Sequence, residues 1–135
     1  MAAPKPAATD VPQLFRLNIE VGDLDGAEQF YSKLFVTPGR RQAGSRVYFD
    51  AGPVTLQIVA TGQPHPAAKA LYFTVKDLDA AHRRAKELNA LSKELVHGKP
   101  GGEAIMRPWG ERSFYAEDPW ANPLCFVEAG TTYPG

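Results

Sequence analysis

Two stretches decide the fold: Leu17–Asp25 reads LNIEVGDLD and Leu71–Asp79 reads LYFTVKDLD. Leu, Val, Asp, Leu and Asp return at matching places. The match runs on from Ala27 to Ala81 and from Leu34 to Leu88, always 54 residues apart. One offset that holds through an alternating segment and into a helical one points to duplication of a whole structural unit.

Working outward from the first copy, Gln13–Val21 alternates. Phe15, Leu17, Ile19 and Val21 point one way, and Arg16, Asn18 and Glu20 the other, as in a strand with one apolar face. Asp23 is placed to cap a helix with its carboxylate. Leu24, Ala27, Phe30, Tyr31, Leu34 and Phe35 follow at helical spacing, and Pro38-Gly39 stops the helix. Arg46–Asp50 and Val54–Val59 read as strands around the turn Ala51-Gly52-Pro53. Thr61–Ala68, with two prolines and His65, reads as the linker closing the first copy.

The second copy opens with Ala70–Val75, whose Leu71, Phe73 and Val75 face the core while Ala70, Tyr72 and Thr74 face away. Asp77 caps a helix that buries Leu78, Ala81, Ala85 and Leu88, with Arg83, Arg84 and Lys86 on its solvated side. Leu91–Glu103 is a flexible, hairpin-like connection. Ala104–Arg107, Ser113–Glu117 and Leu124–Glu128 are strands, and Asp118–Pro123 is the turn between the last two. Each copy therefore reads strand, helix, then two or three strands, which is an α+β arrangement with helices on one side of a mixed sheet.

The bulk numbers bound the function. With 135 residues the chain can bury one core. Its 15 basic and 15 acidic side chains cancel, so no charge surplus argues for nucleic acid or a membrane surface. No apolar run approaches the length of a bilayer span. The opening MAAPKPAATDVP lacks an apolar core for a secretory signal and reads as a disordered arm over residues 1–12, with a tail at 130–135. One cysteine, Cys125, forms no internal disulfide and fits a reducing cytoplasm.

The repeat, the pattern V-x-D-L-x-x-A-x-x-F-Y-x-x-L-F at Val21–Phe35, and RPWGERSFYAEDPWANPLCFVE at Arg107–Glu128 resemble the vicinal oxygen chelate superfamily. That group includes glyoxalase I, bleomycin-resistance proteins, fosfomycin-resistance thiol transferases and extradiol dioxygenases. The likeness covers residues 13–129 and implies one domain of two tandem βαβββ modules, 13–61 and 69–129, whose sheet curves into a cup with helices outside. Ala121 stands where the family usually has Gly, at a cost of about 1 kcal/mol if the backbone needs positive φ. The expectation is that the turn has adjusted instead.

Metal-dependent relatives carry His, Glu or Gln at four places, which the resemblance maps to Arg16, Gln57, Ala70 and Cys125. Arg16 stays a cation and has no lone pair to give. Ala70 has no donor. Gln57 offers a hard oxygen and Cys125 a soft sulfur, which suit different ions. The count falls short of the roughly three protein ligands of a catalytic zinc, so the resemblance implies a member without the usual metal and without a cofactor. His65, His82 and His97 lack ligand spacing and read as surface or helix-edge residues. Cys125 reads as a buried apolar residue rather than a nucleophile.

The expected lining of the cup is Arg16, Asn18, Glu20, Thr55, Gln57, Tyr72, Thr74 and Cys125, with Trp109 and Tyr115 at the rim. Arg16 either clamps a carboxylate or phosphate or pairs with Glu20. Trp120 and Arg112 fit a homodimer interface, which relatives commonly form, with cups made within one chain or between two. The leading reading is a metal-free protein that binds an aromatic or anionic small molecule. The alternatives are a divergent lyase, isomerase or dioxygenase, with Glu20 as general base, and a module that binds a partner without a ligand.

Overall fold

The computed structural model describes residues 10–42 and 44–134. Most of the expected N-terminal arm therefore lies outside the described residues. The first module runs β1 (Arg16–Val21), α1 (Leu24–Phe35), β2 (Arg40–Gln42), β3 (Arg46–Ala51) and β4 (Val54–Ala60). The second runs β5 (Leu71–Val75), α2 (Leu78–Glu87), a small hairpin of β6 (Leu95–Val96) and β7 (Lys99–Pro100), then β8 (Ile105–Met106), β9 (Arg112–Glu117) and β10 (Pro123–Glu128). The spatial order is β1-β4-β3-β2 in one sheet and β5-β10-β9-β8 in the other. In each, the first strand pairs in parallel with the last, and the other pairings are antiparallel. The fold is α+β, made of two βαβββ modules with mixed sheets.

Period-two alternation sorts the strands as expected. Ile19, Val21, Val47, Phe49, Leu56 and Ile58 of the first sheet are buried beside Ala27, Phe30, Tyr31 and Leu34 of α1. Phe114, Leu124 and Phe126 of the second join Leu78, Ala81 and Ala85 of α2 in the same core. Phe35 closes the two halves: its ring centroid lies 5.8 Å from Phe49 of the first sheet and 5.1 Å from Phe73 of the second. One ring near the end of α1 thus touches the apolar faces of both sheets. Arg84, expected on a solvated face, instead donates to the Leu34 carbonyl at 3.2 Å and ties the helices together.

Four details differ from the sequence reading. Asp23 occupies the N-cap position of α1 with extended backbone, but its carboxylate makes no capping bond; Asp77 does cap α2, accepting from Ala80 N–H at 3.0 Å. Helix α1 ends ahead of Pro38-Gly39, at Val36, which takes a left-handed conformation with φ 53°. Gly39 instead serves a close approach, since a Cβ there would lie 2.6 Å from Val47 Cγ2. The turn at Ala121 has not adjusted: φ is 66°, the conformation that favours Gly. Strand β2 was not foreseen, because Arg40-Arg41-Gln42 is exposed throughout and carries no alternation.

No helix among the described residues is long and apolar enough to cross a membrane.

Candidate functional site

The residues read as cup lining fall into two groups. In the first sheet the register places Arg16 beside Thr55 and Asn18 beside Gln57, with Tyr48 of β3 across from Gln57. All lie on the face opposite the core. Gln57 is buried, at 7% exposure, yet its amide has no hydrogen-bond partner among the described residues. Arg16 forms no ion pair with a described carboxylate. Its guanidinium carbon lies 5.0 Å from the Phe15 ring centroid and 5.9 Å from that of Tyr48, so aromatic faces rather than a counter-ion hold it.

Of the two alternatives for Arg16, the pair with Glu20 does not form among the described residues. Glu20 turns to the linker, accepting from the His65 backbone N–H at 2.9 Å with His65 Nδ1 at 3.7 Å. A carboxylate occupied in pinning a loop is poorly placed to act as a general base.

In the second sheet Cys125 stands beside both Tyr72 and Tyr115. The two tyrosine rings meet edge to face at 6.5 Å. Thr74 and Val127 continue the same face. Burial pushes the Cys125 thiol up to about 11, outweighing its hydrogen bonds to Tyr115 and Ser113 and the positive field of Arg107. A neutral buried thiol is a poor nucleophile and a poor ligand. Burial, followed by the hydrogen bond with Tyr72, raises the Tyr115 phenol above its ordinary range.

Sequence reasoning missed the group beneath this face. Arg107 is 3% exposed and donates to the carbonyls of Gly101 and Glu103 and to both oxygens of Ser113. Its Nη1 has no hydrogen-bond partner, but its guanidinium carbon lies 5.4 Å from the Tyr115 ring centroid. Tyr48 was also passed over, although period-two alternation in β3 places it on the polar face.

The structure does not join the two groups within the chain. No described hydrogen bond or ring contact links them. A cavity of about 490 Å³ runs between the β3–β4 turn and β5, lined chiefly by apolar residues such as Leu17, Leu56, Leu71 and Phe73. Another, of about 530 Å³, lies on the second sheet beside Tyr72, Thr74 and Trp109. Neither is lined by Arg16, Asn18, Glu20, Gln57, Tyr115 or Cys125. Because the apolar faces of both sheets share one core, their polar faces point away from it.

Two interface candidates are used inside the chain. Trp120 packs over Gly22, where a Cβ would lie 2.8 Å from its Nε1, so only Gly fits beneath the indole. Arg112 forms ion pairs with Asp79 and Glu128, each at 2.7 Å.

The positions that relatives use for metal do not fit one here. Arg16 and Ala70 offer no donor, and Gln57 and Cys125 sit on separate sheets. No group of three or more His, Cys, Asp or Glu converges among the described residues. His82 hydrogen-bonds the Gly102 carbonyl at 2.8 Å, and His97 packs on Trp109 with ring centroids 5.1 Å apart.

Known structures share this architecture. A glyoxalase/bleomycin resistance protein from Albidiferax ferrireducens T118 matches with TM-score 0.70 and 21% identity, over 85% of this chain and 98% of its own. A lactoylglutathione lyase from Agrobacterium tumefaciens matches with TM-score 0.62 and 21% identity, over 93% and 96%. A genomically encoded fosfomycin resistance protein from Listeria monocytogenes matches with TM-score 0.67 and 16% identity, over 88% and 94%. At such identities these likenesses show the fold alone. No curated protein matches the chain in sequence. The family model, however, spans residues 13–126, through both modules and both polar faces, and so the chain belongs to the glyoxalase/bleomycin resistance protein/dioxygenase superfamily.

Proposed function

We propose that this protein is a metal-free binding member of its superfamily, taking an aromatic small molecule with an anionic group. The observation that carries the reading is the first polar face. Arg16, without a described counter-ion, stands on the same face as Gln57, a mostly buried residue whose amide makes no hydrogen bond among the described residues. A guanidinium held by aromatic rings can receive a carboxylate or phosphate through two parallel hydrogen bonds, and the Gln57 amide can orient it. Tyr72 and Tyr115 supply stacking area on the second face.

The proposal includes a homodimer in which the first face of one copy meets the second face of its partner. Three features support it. The polar faces are separate within one chain. β1 and β5 are edge strands with unpaired backbone. Val11, Leu14, Phe15 and Tyr72, near those edges, are exposed. A reducing cytoplasmic setting, suited to a single buried thiol, is part of the same proposal. Catalysis through Glu20 has less support, because its carboxylate holds the linker.

A thermal-shift screen of aromatic carboxylates, with 2-naphthoate as reference probe, tests the reading. Saturable binding that Arg16→Ala weakens at least ~10-fold is expected. Binding indifferent to Arg16, or none by any member of the class, contradicts it.

A further inference from the structure

The cavity of about 530 Å³ on the second sheet has an unusual wall. Besides Tyr72, Thr74, Val127 and Trp109, it is lined by Thr132 and Tyr133 from the segment that follows β10. Glu111 holds this wall in place. One carboxylate oxygen accepts from Trp109 Nε1 at 2.7 Å, and the other from the Tyr133 backbone N–H at 2.6 Å. Thr131 adds a second pin, accepting from Arg112 N–H at 3.1 Å and donating to the Glu128 carbonyl at 2.7 Å.

Both partners of Glu111 are neutral, and no described cation pairs with it. Its negative charge therefore has no described counter-ion, at an open cavity lined by the aromatic side chains of Tyr72, Trp109 and Tyr133. Aromatic faces and a carboxylate both attract positive charge, and both repel an anion. The pattern is opposite to that around Arg16.

We propose that this cavity is a subsite for a planar aromatic cation, selected by Glu111 and the rings of Tyr72, Trp109 and Tyr133, and flanked by the segment after β10 that Glu111 anchors. The inference rests on the small-molecule reading above and adds to it the charge type of a second ligand group. Glu111 has two parts in it: its charge favours the cation, and its hydrogen bonds fix the walls.

The test is a titration of the protein with ethidium, a planar aromatic cation, against 1-anilinonaphthalene-8-sulfonate, a planar aromatic anion, each followed by fluorescence. One saturable ethidium site per chain is expected, with the anion binding more weakly. Glu111→Gln keeps the side-chain shape and removes the charge, and should weaken ethidium at least ~10-fold while improving the anion. Trp109→Ala and deletion of residues 132–135 should each weaken ethidium ~5-fold or more. Should Glu111→Gln fail to fold, these two variants decide. Ethidium binding no tighter than the anion, or unchanged within about twofold in Trp109→Ala and in the deletion, overturns the proposal. Such a failure is separable from failure of the first reading. Binding of 2-naphthoate through Arg16 can persist without the cation subsite, and its absence leaves the ethidium result standing.

Discussion

The Tyr31 hydroxyl, on α1 of the first module, donates to Asp118 Oδ2 in the β9–β10 turn of the second at 2.7 Å, across 87 residues of sequence. Asp118 is 4% exposed, and its carboxylate also accepts from the backbone N–H groups of Trp120 and Asn122 and from the Asn122 amide. Asn122 in turn donates to the Glu20 carbonyl at 2.8 Å and accepts from Ala67 N–H at 2.9 Å. One buried carboxylate thus ties a helix, a strand end, the linker and a turn into a single body.

Removing the Tyr31 hydroxyl leaves that largely buried carboxylate short of a donor. Tyr31→Phe should cost about 1.5–3 kcal/mol in urea denaturation, within the range for hydrogen bonds to charged groups. A loss under about 0.5 kcal/mol would show that Asp118 finds a replacement donor.

Alkaline pH should loosen the protein. Burial and Asp118 hold the Tyr31 phenol well above its ordinary 10.0, and burial holds Cys125 near 11 against an ordinary 9.0. Both groups have a folded pKa above the unfolded one. Their contributions are fully present below pH 9 and are lost as pH rises through 9 to 11 and beyond, where the unfolded chain ionises first. Unfolding free energy measured from pH 8 to 11 should therefore decline, and Cys125→Ser should lessen the early part of the fall. A flat profile contradicts the assignment.

Ala121 and Val36 are non-glycine residues in left-handed conformations, with φ of 66° and 53°. Each strains its side chain against its own backbone. Replacement by Gly removes that strain but adds freedom to the unfolded chain, for a net gain of about 0.5–1 kcal/mol. Ala121→Gly and Val36→Gly should each raise the melting temperature, and a fall in either would mean that side-chain packing outweighs strain there. Gly22→Ala should act oppositely, since the new Cβ meets the Trp120 indole. A loss of about 1–3 kcal/mol is expected.

Metal analysis of protein purified without chelator should find nickel, zinc, iron and manganese well below one atom per chain. A stoichiometric metal would overturn the reading of Arg16, Gln57, Ala70 and Cys125 as an abandoned ligand set.

The fold was legible where burial leaves a period in the sequence. Leu17, Ile19 and Val21, and then Ala27, Tyr31 and Leu34, announce their elements because water on one side and core on the other sort residues at periods of two and 3.6. Strand β2 left no such trace, because Arg40-Arg41-Gln42 is a strand only through its pairing with β3. Alternation also put Arg16, Asn18 and Gln57 on one face and Tyr72 and Thr74 on another. It carried no information on how the faces lie relative to each other, which depends on contacts such as Phe35 with Phe49 and Phe73. The roles of Trp120, Arg107 and Glu111 were hidden for the same reason: their partners are set by three-dimensional packing.

The central claim is that a binding site joins Arg16 of one copy to the Tyr72 face of another, and mixing variants tests it most directly. Arg16→Ala and Tyr72→Ala proteins should each lose 2-naphthoate binding alone. Refolded together as an equal mixture, they form hybrid dimers in which one site carries both defects and the other is intact. The account predicts recovery of wild-type affinity at about a quarter of all sites. If neither variant binds and the mixture recovers nothing while forming dimers, the site lies within one chain, and the account is contradicted.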